Sequence, residues 1–294
     1  MVSSCIGAVT IGFSAIFFEL AHVDASTGAL FRCLYALPAL LLLARYEQGR
    51  QLRVARRPAL LAALAGVAFA ADLIAWHHAV QAAGAGLGTV LGQSQILFMT
   101  AFSVLVLREV LTRRTGVGIV VVLLGGVCVA GVLESAPYGD QPGLGVLYGL
   151  VAGATYVVFI LLLREANAAT GQLVMPLLIA TVSATVCIAL LGTALGELEW
   201  PSSWASQGWL LALALSAQVA GWLLISSSMV ALPPIVTSMV LSLQPGCAVV
   251  FAMIILGESP SALQLTGAAL IVVGFATATM RRGASAGRRT APAR

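Results

Sequence analysis

The sequence predicts an all-α polytopic membrane protein. Ten transmembrane helices would form two inverted five-helix repeats around a central cavity, with both termini cytoplasmic. Three observations predict it. First, 60% of the 294 residues are apolar and only 9% charged, against about 25% charged in a soluble domain. Fifteen basic and eleven acidic residues cannot clothe a soluble core of this size, and mean hydropathy is +1.01. Second, apolar stretches of about 20 residues recur along the chain, the length that spans a bilayer as a helix; a β-barrel would show alternating runs of about ten. Third, arginine falls almost wholly in alternate loops. The composition also excludes disorder, collagen and a disulfide scaffold.

Apolar runs broken by charge, Pro or Gly define the segments in order. The first, 2–20, has no basic region before it and no small-x-small cleavage pattern after Glu19, so it is expected to stay as a helix. Segment 2 is 26–44 and carries Arg32, segment 3 is 58–81 with Asp72, and segment 4 is 87–107 with Gln95. Segment 5 is 115–133 and completes the first repeat, expected over residues 1–140. Segments 6 to 10 are 143–163, 170–195, 208–230, 234–256 and 261–280, giving a second repeat over 141–282. Residues 283–294 form an Arg-rich cytoplasmic tail.

Arginine orients these segments. Arg45, Arg50, Arg53, Arg56 and Arg57 follow segment 2, Arg108, Arg113 and Arg114 follow segment 4, and Arg164 follows segment 6. Arg281, Arg282, Arg288, Arg289 and Arg294 lie in the tail. The opposite loops hold Asp24, Glu134, Asp140, Glu197, Glu199 and Glu258 and no arginine. Arginine-rich loops stay in the cytoplasm, which places both termini inside. The basic balance is therefore a topology signal and no nucleic-acid patch. All basic residues are arginine, as in a GC-rich bacterial genome, and the expected location is the bacterial cytoplasmic membrane.

The halves repeat each other. Gln95 and Glu109 are spaced as are Gln244 and Glu258, at an offset of 149, and Gly118 and Gly125 match Gly267 and Gly274. Thr27-Gly28-Ala29-Leu30 matches Thr170-Gly171-Gln172-Leu173 at an offset of 143. Five helices per copy is an odd number, so the copies enter the membrane from opposite sides, an arrangement that places substrate at the midplane between halves. The strings Leu107-Arg108-Glu109-Val110-Leu111-Thr112 and Leu256-Gly257-Glu258-Ser259, each followed by a Gly-containing apolar helix, resemble the EamA repeat of the drug/metabolite transporter superfamily. Arg32 and Gln244-Pro245 match it too. The resemblance implies ten helices, a cavity lined mainly by segments 1, 3, 4, 6, 8 and 9, and export or exchange of small metabolites.

Polar groups at membrane depth are functional candidates because embedding a charge costs about 2.5–3.5 kcal/mol on insertion scales. Asp72 lies about 20 Å along segment 3, at about 1.5 Å per residue, and Trp76 shares its face. It is expected to bind a cation or carry a proton, or else to bond a neighbouring helix. Gln95, Gln218 and Gln244 are mid-span and offer amide hydrogen bonds to substrate or to other helices. Tyr156 and Trp222 are mid-span aromatics that could stack on substrate or simply pack. Glu19 and Arg32 stand near the outer ends of adjoining helices and are expected to pair and close the cavity, with snorkelling to the interface as the alternative. His77 is a candidate for proton coupling, with wetting at the interface as the alternative. Glu109 and Glu258 are expected to cap the helices that follow them.

The expected function is a secondary active transporter of a small organic molecule, such as an amino acid, related compound or drug, working by alternating access. Coupling to protons is one option, and a passive channel or, less favoured, a membrane enzyme is the alternative. No catalytic motif is present, so no enzyme is expected; no cofactor and no metal are expected. The five cysteines lie in apolar stretches without ligand spacing. The expected partners are substrate, lipid and protons, with the protein a monomer or homodimer.

Overall fold

The structure, a computed structural model, describes residues 2–48, 54–105, 113–129, 133, 138–229 and 243–279. The described residues are helical with no strand. Five helices are long and apolar enough to cross a membrane: Ala25–Glu47, Arg56–Ala83, Pro142–Thr170, Val174–Leu195 and Trp204–Ile225. Shorter apolar helices cover Ile6–Ala21, Gly116–Val129, Cys247–Leu256 and Ala262–Gly274. Glu109, Glu134, residues 234–242, the tail 283–294 and Arg50, Arg53, Arg108, Arg281 and Arg282 lie outside the described residues. Large apolar side chains such as Leu42, Leu123, Val186, Leu190 and Ile254 are exposed on the outside, as a lipid-facing surface requires.

Several helices are discontinuous. The first breaks at Phe13 between Val2–Gly12 and Ser14–Ala21. Segment 4 runs as Ala85–Leu91, a tight 3-10 turn at Gly92–Ser94, then Gln95–Leu105. Segment 8 widens into a π-helix at Ala214–Gly221. Such irregularities in a membrane helix are tolerated where the backbone is buried in protein or lines a cavity.

Glycine sets the closest approaches. On Pro142–Thr170, a Cβ at Gly149 would lie 2.6 Å from Leu91 Cβ, and one at Gly153 would lie 2.5 Å from Gln95 N. This stripe therefore seats the broken segment 4 against segment 6. Between Arg113–Val129 and Ala262–Thr279, Gly125 packs on Gly267, and Gly118 on Gly274. Gly118 is the repeat mate of Gly267, and Gly125 of Gly274. Exchanging the copies thus turns one contact into the other, which is the signature of a pseudo-two-fold axis between these helices.

Carboxylates join the two copies at both ends. Glu47, at the arginine-rich end, accepts from the backbone N–H groups of Leu173 (3.0 Å), Val174 (3.1 Å) and Met175 (3.4 Å). It caps the Val174–Leu195 helix from another helix, satisfying donors left free at a helix start. At the acidic end Ser26 Oγ donates to Glu197 Oε2 at 2.5 Å, and Glu199 N donates to Thr27 Oγ1 at 3.0 Å. The Ala25–Gln48 and Val174–Leu195 helices therefore hold each other's beginnings.

Glu258 does act at a helix N-terminus, but not that of the following helix. Its carboxylate accepts from Ala85 N (2.5 Å) and Gly86 N (3.2 Å), where Gly84 has φ +91° and turns the chain. The following helix is started by Ser261 and Gln264: Gln264 N donates to Ser261 Oγ at 3.0 Å, and Ser261 N to Gln264 Oε1 at 3.1 Å. This is a capping box with glutamine as the third residue of the helix.

Candidate functional site

A central cavity of about 80 Å³ lies between the two halves of the chain. The Arg56–Ala83 helix presents one face to it: Phe69, Asp72, Leu73 and Trp76, at the i, i+3, i+4, i+7 spacing of a helical stripe. Gln95 reaches it from segment 4, Tyr156 from segment 6, Trp222 from segment 8 and Gln244 from segment 9. Six of the seven residues expected to contact substrate therefore line one space. Ile11 and Ser14, either side of the Phe13 break, complete the wall from segment 1. Segment 2 adds Arg32, beyond the set of segments that the family resemblance implied.

Arg32 is 5% exposed. Its Nε donates to Gln218 Oε1 at 3.2 Å, Gln218 Nε2 donates to Thr181 Oγ1 at 3.2 Å, and Thr181 Oγ1 donates to Leu177 O at 2.8 Å. The guanidinium carbon lies 5.7 Å from the Trp76 ring centroid, within cation–π range. Gln218, the seventh expected contact, is not on the cavity wall. It is fully buried in the π-helix and bridges Arg32 to the Val174–Leu195 helix. The extra residue in a π turn shifts the side-chain register, which α-helical spacing from the sequence could not anticipate.

The expected Glu19–Arg32 pair is not formed. Among the described residues Arg57–Glu165 is an ion pair within 4.0 Å, and His78 Nε2 lies 3.3 Å from Glu197 Oε2. Glu19 instead lines a separate cavity of about 330 Å³ at the acidic end, with His22, Asp24, Gln81, Glu199 and Trp200. His77, expected near the outer surface, is fully buried. Its Nδ1 lies 2.7 Å from Leu73 O, and its ring meets Phe18 and Trp76 edge-on at 4.5 and 4.7 Å. Trp222 is enclosed by rings, with Phe159 at 5.0 Å, Tyr156 at 5.9 Å and Phe69 at 6.1 Å.

Thr89 and Gln93 line the central cavity and went unselected in the sequence. Their i, i+4 spacing was the available signal. Gln95 Nε2 donates to Gln93 Oε1 at 3.1 Å, a contact between positions two apart that a regular helix keeps on different faces. The tight turn at Gly92–Ser94 allows it. Among the described residues no group of three or more His, Cys, Asp or Glu side chains could hold a metal ion. The wall thus offers one cation, one carboxylate, amides and aromatic rings, a set suited to binding a small organic molecule.

Known proteins bear on this arrangement in three ways. No curated protein matches the chain. A solved structure described only as a crystal structure of a protein superposes over 95% of this chain and 95% of its own, at TM-score 0.65 and 16% identity, and so shares the fold. The EamA-like transporter family matches residues 1–131 and again residues 143–280, two copies that together cover nearly the whole sequence. The chain belongs to the EamA-like transporter family.

Proposed function

We propose that this protein is a secondary active transporter of a small organic metabolite, working by alternating access in the bacterial cytoplasmic membrane. Ten transmembrane helices form inverted repeats over residues 1–140 and 141–282, with both termini and the 283–294 tail cytoplasmic. The observation that carries the reading is the central cavity, to which both copies contribute polar and aromatic side chains at mid-span. The crossed glycine contacts support an inverted arrangement, because they exchange under the repeat symmetry. Asp72 is the substrate or proton carboxylate, Arg32 the fixed cation, and Trp76, Gln95, Tyr156, Trp222 and Gln244 the rest of the binding wall. Gln218 acts through Arg32. Glu19 belongs to the outer approach, and the burial of His77 favours packing over coupling. Export or exchange of an amino acid, a related compound or a drug fits this wall, in a monomer or homodimer.

The test is transport by purified protein in proteoliposomes. Saturable counterflow of a labelled substrate is expected, and linear, non-saturating flux would mark a channel. Asp72→Asn is expected to abolish proton-coupled uptake while leaving the melting temperature close to that of the parent. Full coupled transport by that variant would overturn the Asp72 assignment.

A further inference from the structure

Segments 2 and 7 run antiparallel, and a carboxylate fastens the pair at each end. At the arginine-rich end Glu47, one residue before the segment 2 helix stops, accepts from the N–H groups of Leu173 at 3.0 Å and Val174 at 3.1 Å. At the acidic end Glu197, two residues past the segment 7 helix, accepts from Ser26 Oγ at 2.5 Å. The Glu197 carbonyl accepts from Thr27 Oγ1 at 3.0 Å. Each helix is thus followed or ended by an acid that holds the start of the other. Exchanging the two copies turns one fastening into its counterpart.

Between the fastenings the seam is apolar and closed. Ala29, Ala36 and Ala44 of segment 2 and Ala180, Ala184 and Ile188 of segment 7 are fully buried in one core cluster. Small side chains let the two backbones approach closely: a Cβ at Gly192 would lie 3.1 Å from Ser26 Cβ. Among the described residues segment 7 adds nothing to the wall of the central cavity, and segment 2 adds only Arg32.

Rocking of one copy against the other opens contacts at one membrane face and closes them at the other. The Val174–Leu195 helix is about 33 Å long at about 1.5 Å per residue, so a tilt of about 10° swings its far end by about 6 Å. That displacement is about twice the length of either fastening and would break one of them. Contacts that the repeat symmetry interchanges are equally available to both states, so this pair can stay closed throughout.

We propose that segments 2 and 7 form a fixed spine of the carrier, open at neither face in either state, while segments 1, 3, 4, 6, 8 and 9 move about it. The proposal rests on the carrier reading above and names the part of the fold that does not move.

The test uses full-length protein in which the five native cysteines are replaced by alanine. One variant adds Ser26→Cys with Glu197→Cys, a second adds Glu47→Cys with Leu173→Cys, and a third carries all four. Each pair is joined by a short, reducible bifunctional thiol reagent, with completeness read from the loss of free thiol. Counterflow is then measured with labelled L-leucine, uracil and tetraphenylphosphonium. The joined proteins are expected to keep counterflow within about twofold of the same variants before joining. A loss of about tenfold or more on joining, reversed by reduction, overturns the spine and leaves the carrier standing. A second measurement needs no transport. The first amides of a helix have no partner within it, so slow hydrogen exchange at Leu173 and Val174 reports the Glu47 fastening itself. Exchange should be about fivefold slower in the parent than in Glu47→Ala. Equal rates would show that the fastening is not kept and would overturn the spine even where counterflow survives joining. Absence of counterflow by every folded variant before joining would count against the carrier reading and the spine together.

Discussion

Replacing Gly125 with alanine adds one methyl group at the tightest point between Arg113–Val129 and Ala262–Thr279. Its Cβ would lie 2.7 Å from Gly267 O, 2.7 Å from Ile271 Cγ1 and 3.0 Å from Ile271 N. Two of those three atoms are backbone, so no rotamer change relieves the contact. Reaching ordinary van der Waals separation near 3.4 Å moves the helices apart by about 0.7 Å. A gap of that size forfeits a quarter to a half of the dispersion energy of the atoms facing it, and overpacking of this kind costs about 1–3 kcal/mol. Alanine also recovers about 1 kcal/mol of helix propensity relative to glycine. Gly126, the next residue, has nothing within 4 Å of its added Cβ, so Gly126→Ala keeps the propensity gain without the clash. The two variants should therefore differ by about 1–3 kcal/mol, roughly 2–6 °C in melting temperature for a chain of this size. Intrinsic fluorescence melts of detergent-purified protein measure the difference. If Gly125→Ala melts at or above Gly126→Ala, the two helices do not meet in this register and the crossed glycine symmetry is wrong.

Glu47→Ala removes a carboxylate that accepts from Leu173, Val174 and Met175 and is expected to destabilise by about 1 kcal/mol, as loss of a helix cap does. Glu165→Ala, which breaks the exposed 3.9 Å pair with Arg57, is expected to change the melting temperature very little; equal losses in both would refute the capping role. Burial pushes the Glu258 carboxyl above its ordinary value, opposed by the hydrogen bonds from Ala85 and Gly86. A raised carboxyl means the folded state holds its proton more tightly, so its stabilising contribution is fully present below the ordinary glutamate value and is lost as pH rises through the raised one. The melting temperature of the parent minus that of Glu258→Gln should accordingly fall between acidic and neutral pH, and a rise over that range would contradict the sign.

The all-helical, two-copy membrane character of the chain was legible because its signals are long and redundant. Apolar length sets the spans, and the Gln95–Glu109 and Gln244–Glu258 spacing exposes the repeat. The Gly118, Gly125, Gly267 and Gly274 matches then become contacts that the same symmetry interchanges. The cavity was legible for a narrower reason: a polar group in an apolar helix is expensive, so few positions compete, and most of those few line one space, Gln218, Glu19 and His77 being the exceptions. What the sequence hid are relations between helices. Glu258 could be read as a helix-start acceptor, but not that its helix would be Ala85–Leu91, 173 positions earlier at Ala85. Arg32 looked like an end-of-helix partner for Glu19 because sequence distance from the loop was the only available depth gauge. Its long side chain instead reaches Gln218, which a π turn has moved off the cavity wall. Departures from regular helix at Phe13, at Gly92–Ser94 and at Ala214–Gly221 coincide with the segments that build the cavity. Periodicity fails there because the backbone is irregular, and the irregular backbone is what turns Gln93 toward Gln95 and Gln218 toward Arg32. In this chain helical spacing therefore foretells the stripe from Phe69 to Trp76 on the cavity wall and misses the contacts that the irregular turns make.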